Sequence, residues 1–146
     1  MYYPGSFKLR YTTNSGLVWF THPDFSDNFN SVFFVNKDTG WATSTSSRNY
    51  VSYTTNGGIN WLQQSLSSSV IQYDIYFANP RKGWIGKVFN NYILATSDGG
   101  NTWGRQSVPI IGASKLFFLD SLIGWCGDGN PIAHTTNGGG TITSII

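Results

Sequence analysis

The chain has 146 residues, of which 16% are aromatic and 11% charged, with 17 glycines, one cysteine and no glutamate. This composition is poor in helix formers and rich in strand formers, which predicts an all-β protein. A net charge of +2 without a basic cluster argues against a nucleic-acid partner, and the short apolar runs argue against membrane insertion. Cys126 and two histidines give no disulfide and no structural zinc site, so we expect no metal and no cofactor.

A motif of the form Thr-x-Asn/Asp-x-Gly-x-x-Trp occurs four times, and each copy is called a box here. Its Trp19, Trp61 and Trp103 recur every 42 residues, and Ile142 takes the place of tryptophan in the last box. We expect the Asn or Asp to accept backbone N–H groups across its own turn and the glycine to adopt positive φ. We expect the tryptophan to cover the hairpin and pack toward the next repeat. The structural box residues are Asn14, Gly16 and Trp19; Asn56, Gly58 and Trp61; Asp98, Gly100 and Trp103; and Asn137 and Gly139.

A second motif with the same period, an apolar run that leads to Gly-Trp, occupies residues 32–41, 75–84 and 116–125. Two motifs at one period, separated by turn residues, predict four short antiparallel strands in each unit, as in a β-propeller blade. We predict a single partial propeller domain over residues 1–146, with a half blade at 7–21 and blades at 31–66, 72–107 and 114–146. These about 3.5 blades form an open arc or part of a larger propeller, since closed rings have about four to eight blades. The unpaired blade faces predict self-association.

The boxes are similar to the Asp-box, or bacterial neuraminidase repeat (BNR), signature, although asparagine replaces aspartate in three of them. Together with the apolar-run and Gly-Trp element, the chain resembles the photosystem II assembly-factor-like propeller family. That resemblance implies a β-propeller that binds or assembles partners. It also implies an extracytoplasmic or secreted parent protein, although residues 1–20 lack the apolar segment of a signal peptide.

The loops between the second and third strands vary in length, whereas the box turns do not, and function commonly resides in variable loops over a constant scaffold. These loops share one rim with the connections between blades. The candidate binding residues on this rim are Phe25, Phe29, Arg48, Asp74, Lys87 and Phe89. The alternative that they are ordinary solvated loop residues stays open at this point.

We expect a non-catalytic binding or assembly scaffold that presents this rim to a protein or a glycan. One alternative is a fragment of an Asp-box glycoside hydrolase, sialidase-like or xyloglucanase-like, which needs two facing carboxylates. Asp74, together with Asp24, Asp27 and Asp128, is the candidate for such a pair, and no catalytic residue is assigned. A further alternative is a structural repeat of a secreted cell-surface protein.

Overall fold

The computed structural model describes residues 9–23, 28–44, 47–129, 131–140 and 143–144. Phe25, Asp24, Asp27 and Ile142, which the sequence singles out, lie outside the described residues. Within the described ranges the chain is built from strands, and none of its segments forms a helix that could span a membrane. The all-β prediction is therefore confirmed.

The strands are short, as expected where glycine and asparagine turns interrupt the chain every few residues. They are β1 (Arg10–Tyr11), β2 (Phe20–Thr21), β3 (Phe29–Phe34), β4 (Gly40–Ser44), β5 (Arg48–Thr54), β6 (Leu62–Val70), β7 (Asp74–Phe77), β8 (Gly83–Gly86), β9 (Tyr92–Thr96), β10 (Gly104–Ser107), β11 (Lys115–Phe118), β12 (Gly124–Gly127), β13 (Ile132–Thr135) and β14 (Thr143–Ser144).

The sheets follow the repeat. The half blade is the pair β1–β2, the first blade is β3-β4-β5-β6, the second contains β7-β8-β9-β10, and the last contains β11-β12-β13. All these pairings are antiparallel and join neighbours in sequence, which is the up-and-down order of a propeller blade. The predicted partial propeller of about 3.5 blades is confirmed as a fold.

The last repeat departs from the four-strand pattern. Its terminal strand β14 pairs antiparallel with β10 of the preceding blade, with Gly104 opposite Ser144, and not with β13 of its own blade. The outer edge of β10 offers unpaired backbone groups that a short strand can satisfy. As a result, the described sheet of the last blade has three strands.

Successive blades pack through aromatic rings from their inner strands. Trp41 stacks on Phe77 of the next blade with ring centroids 3.6 Å apart, and Trp84 stacks on Phe118 at the same distance. These rings belong to two buried clusters, one at each junction between full blades. The core therefore lies between the blades and not within a single sheet.

The expected direction of the box tryptophans is wrong. Trp103 is buried beside Phe77 of its own blade, with ring planes nearly perpendicular, in the junction with the preceding blade. Trp61 lies in the same way beside Phe34. The contact with the following blade comes instead from Trp41 and Trp84 on the second strands, because a residue after the box turn emerges on the opposite face of the sheet.

The box turns adopt the predicted hydrogen bonding. The side chains of Asn14, Asn56 and Asp98 each accept the backbone N–H four residues later, at 2.9, 3.0 and 2.9 Å. The glycines two residues after them have positive φ, for example 84° at Gly58. The leading threonine also contributes, since Thr54 Oγ1 accepts the Gly58 N–H at 3.0 Å.

The turn between the first and second strands of each full blade accepts a backbone hydrogen bond from the box turn of the same blade. Gly57 N donates to Asp38 O, Gly99 N to Arg81 O, and Gly138 N to Leu122 O, at 2.7–2.9 Å. On this rim of the arc, the same backbone hydrogen bond therefore joins the two turns in each full blade. The opposite rim carries the variable loops.

Candidate binding cleft on the loop rim

A cleft of about 340 Å³ opens on the variable rim, between the first and second full blades. One wall is the end of β6 with the residue after it, Val70 and Ile71, and the other is the loop from Lys87 to Tyr92. Two of the predicted binding residues, Lys87 and Phe89, therefore line the same cleft. Their role in binding stays a prediction.

Lys87 is a buried cation, with only 4% of its surface exposed. Its Nζ donates a hydrogen bond to Tyr92 Oη at 2.8 Å and lies 4.2 Å from the centroid of that ring. Its backbone carbonyl accepts the Ala113 N–H at 2.7 Å, which ties this loop to the last blade. Among the described residues, no carboxylate lies within 4.0 Å of the ammonium group. A desolvated cation without a counter-charge favours the approach of an anion.

A second cation adjoins the same ring. Arg105 on β10 is exposed, and its guanidinium carbon lies 4.6 Å from the Tyr92 centroid. Tyr92 therefore contacts two cations, Lys87 through its ring and its hydroxyl and Arg105 through its ring alone. The sequence analysis missed Arg105 and Tyr92. Because Ser107 pairs with Tyr92 across β9 and β10, Arg105 is a diagonal neighbour on the same face, and this cross-strand register is the signal that could have found it.

Phe89 projects from the loop in a strained conformation. Its φ is +62° and the residue is 86% exposed. Residues other than glycine rarely occupy this left-handed region, and the cost is about 1–3 kcal/mol. The adjacent Asn90 supports the turn by donating its side-chain amide to Val88 O at 3.0 Å. A strained backbone that exposes a large aromatic ring next to a cleft is typical of a binding loop.

The other predicted residues lie elsewhere. Arg48 begins β5, with its guanidinium 5.9 Å from the Tyr50 ring. Phe29 begins β3 and does not line the cleft. Asp74 links three blades, because it accepts the Ser31 hydroxyl at 2.7 Å and the Leu116 N–H at 3.0 Å. Both of its oxygens therefore have structural partners.

Two of the described carboxylates, Asp98 and Asp120, have lowered pKa values. Burial raises the pKa of Asp98, but the hydrogen bonds from Thr102, Thr96 and the Asp98 backbone together outweigh it and lower the pKa overall. Backbone N–H groups of Ile123 and Leu122 lower the pKa of Asp120. A glycosidase acid needs the opposite shift.

Asp128 accepts the Ser114 hydroxyl at 2.5 Å. Within the described residues, no group of three His, Cys, Asp or Glu side chains could hold a metal ion.

Solved structures show the same fold. YCF48 bound to a D1 peptide matches with a TM-score of 0.65 at 20% identity, over 81% of this chain and 40% of that chain. YCF48 from Cyanidioschyzon merolae matches with a TM-score of 0.62 at 22% identity, over 81% and 37%. An ancestral GH74 enzyme matches with a TM-score of 0.68 at 15% identity, over 95% and 21%.

These matches confirm the resemblance to the photosystem II assembly-factor-like propellers at the level of the fold. This chain spans less than half the length of each of these structures. No protein-family model matches the sequence, and no curated protein matches it either.

Proposed function

We propose that the chain is a non-catalytic binding scaffold that holds a partner protein at the cleft between its first and second full blades. The observation that carries this proposal is the pair of cations on Tyr92, with Lys87 buried and without a carboxylate within salt-bridge distance among the described residues. The chemistry fits an acidic peptide segment that places a carboxylate near Lys87 and Arg105 and an apolar side chain against Phe89. The fold is shared with YCF48, which has been solved with a bound peptide.

The positive charges at this site favour a protein partner over a glycan partner. Neutral glycans are held by stacked aromatic faces and neutral polar groups, whereas here the cleft holds the Lys87 ammonium beside the exposed Phe89 ring, and Arg105 contacts the tyrosine that Lys87 also contacts. Glycan binding and an extracytoplasmic location stay predictions. The glycosidase alternative is also less favourable, since the described carboxylates with shifted pKa values shift downward.

The test is fluorescence anisotropy with a labelled peptide rich in aspartate and glutamate that also contains leucine, against a lysine-rich peptide of equal length. We expect the acidic peptide to bind with an affinity that falls as salt rises, and the lysine-rich peptide not to bind. Arg105→Gln should weaken binding about tenfold, which corresponds to about 1.4 kcal/mol. Arg81→Gln is the matched control, because Arg81 is an exposed arginine on the opposite rim.

Phe89→Gly separates binding from stability. Glycine adopts the positive φ at this position without strain, so the variant should be at least as stable as the wild type while binding more weakly. Binding of a neutral oligosaccharide that Phe89→Gly abolishes, without binding of the acidic peptide, would overturn the proposal in favour of a glycan partner.

A further inference from the structure

The junctions inside the arc provide a template for how one blade receives the next. In each junction a tryptophan of the second strand lies flat on a phenylalanine of the following blade, with interplanar angles of 9° for Trp41 on Phe77 and 3° for Trp84 on Phe118. Both tryptophans are at most 1% exposed. The rear of a blade therefore offers a tryptophan, and the front of the next blade offers a phenylalanine.

A chain of two hydrogen bonds, called the relay here, accompanies each stack: the tryptophan donates to a glutamine, and the glutamine donates to the next box turn. Trp84 Nε1 donates to Gln106 Oε1 at 2.9 Å, and Gln106 Nε2 donates to Gly138 O in the box turn of the next blade at 2.9 Å. Trp41 and Gln64 repeat this relay at the preceding junction. The front of a blade thus combines an apolar ring with a box turn that accepts a hydrogen bond.

The front face of the first full blade is only partly covered, by the half blade. Phe34 is 39% exposed, whereas the equivalent Phe77 and Phe118 are 2% and 4% exposed. A cavity of about 340 Å³ lies beside Phe34, where an incoming tryptophan would stack. The first full blade lines this cavity with Val32, Phe34, Ile59 and Trp61, and the half blade adds Tyr11 and His22.

The rear face of the last blade carries the complementary group. Trp125 follows Gly124 as Trp41 and Trp84 follow their glycines, but its ring neighbours are Phe117 and His134 of its own sheet, at 6.1 and 4.7 Å. Phe117 beside it is 53% exposed. The two ends of the arc therefore present the two halves of one internal junction.

We propose that the chain associates head to tail, with Trp125 of one copy inserted in the cavity beside Phe34 of a second copy. This contact would repeat the Trp–Phe stack found between blades within the chain. It is heterologous, because the rear face of one copy meets the front face of another. β1 and β13 both hold the third-strand position of a blade, so the full register requires one of them to move. The two-residue pair β1–β2, exposed along both strands, is the one that gives way, so the surface that receives Trp125 is the part of the cavity that the first full blade lines: Val32, Phe34, Ile59 and Trp61.

Sedimentation velocity over a range of concentrations tests the proposal, which rests on surfaces other than the peptide-binding cleft. We expect the average mass of the wild type to rise with concentration and that of Trp125→Ala to stay at the monomer value. Ile59→Glu should also stay monomeric, because it places a charge at the mouth of the cavity from a position that is 70% exposed. Leu17→Glu is the matched control: it is the same position of the first box, 85% exposed and outside the cavity lining, and it should associate like the wild type.

Mixing the two monomeric variants gives the sharpest result. Trp125→Ala keeps an intact cavity and Ile59→Glu keeps an intact tryptophan, so the mixture should form 1:1 dimers that grow no further. A mixture that stays monomeric overturns the proposal, as does a wild type that stays monomeric throughout or an association that both single variants leave unchanged.

Discussion

Trp84→Ala is the substitution that most directly probes the contact between blades. The Trp84 side chain is fully buried, it stacks on Phe118 of the next blade, and its Nε1 donates to Gln106 Oε1. Replacement by alanine removes the ring, opens a cavity at the junction and deprives Gln106, itself buried, of its donor.

The size of the effect follows from these contacts. Replacing a buried tryptophan by alanine costs about 3–5 kcal/mol of unfolding free energy. The unpaired acceptor on Gln106 would cost about 1–3 kcal/mol if it stays dry, so we expect a loss near the upper end of that first range. Because domains are stable by only about 5–15 kcal/mol, urea unfolding followed by circular dichroism should show a large fall in the midpoint.

Trp125→Ala is the matched control, since Trp125 occupies the same position after the Gly-Trp glycine of its repeat but has no described stack on a phenylalanine of another blade. Its only described ring contacts are within its own sheet, and in dilute solution its loss should cost less than about 1 kcal/mol. A double-mutant cycle of Trp84→Ala with Phe118→Ala should give a coupling of about 0.5–1.5 kcal/mol. Equal costs for the two tryptophans, or zero coupling, would refute the reasoning.

Three further predictions concern single side chains. Asp98→Asn removes a carboxylate whose pKa is raised by burial but lowered overall by the combined hydrogen bonds from Thr102, Thr96 and its own backbone; its stabilisation exists above about pH 4 and is lost as pH falls through the lowered pKa. The stability gap between wild type and variant, measured by urea unfolding, should therefore shrink on acidification. Gly83→Ala places a Cβ 2.5 Å from the Phe77 ring and should cost about 1–3 kcal/mol in the same assay. Burial raises the pKa of the Cys126 thiol, so labelling by a disulfide reagent at pH 8 should be slow in the native protein and fast in urea.

Each of these has a result that would contradict it. A gap that widens toward low pH would mean that the Asp98 carboxylate is not stabilised by folding. Gly127→Ala is the control for Gly83, because the added Cβ meets its neighbours only at 3.4 Å, and equal costs would contradict the close packing on Phe77. Native labelling of Cys126 as fast as in urea would mean that the last blade is not packed on the second.

Much of the fold could be predicted because the repeat depends on short-range turn residues that are visible in the sequence. The box turn needs Asn or Asp, glycine and threonine at fixed spacing, and the structure uses each of them in four turns. The pairing of β14 with β10 could not be predicted in this way. A two-residue strand has little preference of its own, so the available edge decides where it pairs.

The candidate site was predicted only in part, for a similar reason. The variable loop identified Lys87 and Phe89, since loop variation is visible in the sequence. Arg105 lies on a regular strand, and only the cross-strand register places it beside Tyr92. Asp74 looked like a rim carboxylate, but its hydrogen-bond partners include Ser31 of the preceding blade, 43 residues before it, and Leu116 of the following blade, 42 residues after it.

The central claim is that each repeat is a separate sheet and that the sheets pack through the Trp–Phe stacks. Nuclear Overhauser contacts between aromatic protons test it directly. We predict strong contacts from the Trp84 indole to the Phe118 ring and from Trp41 to Phe77, whose centroids are 3.6 Å apart in both pairs. A well-dispersed spectrum in which these tryptophans contact only protons of their own repeats would contradict the claim.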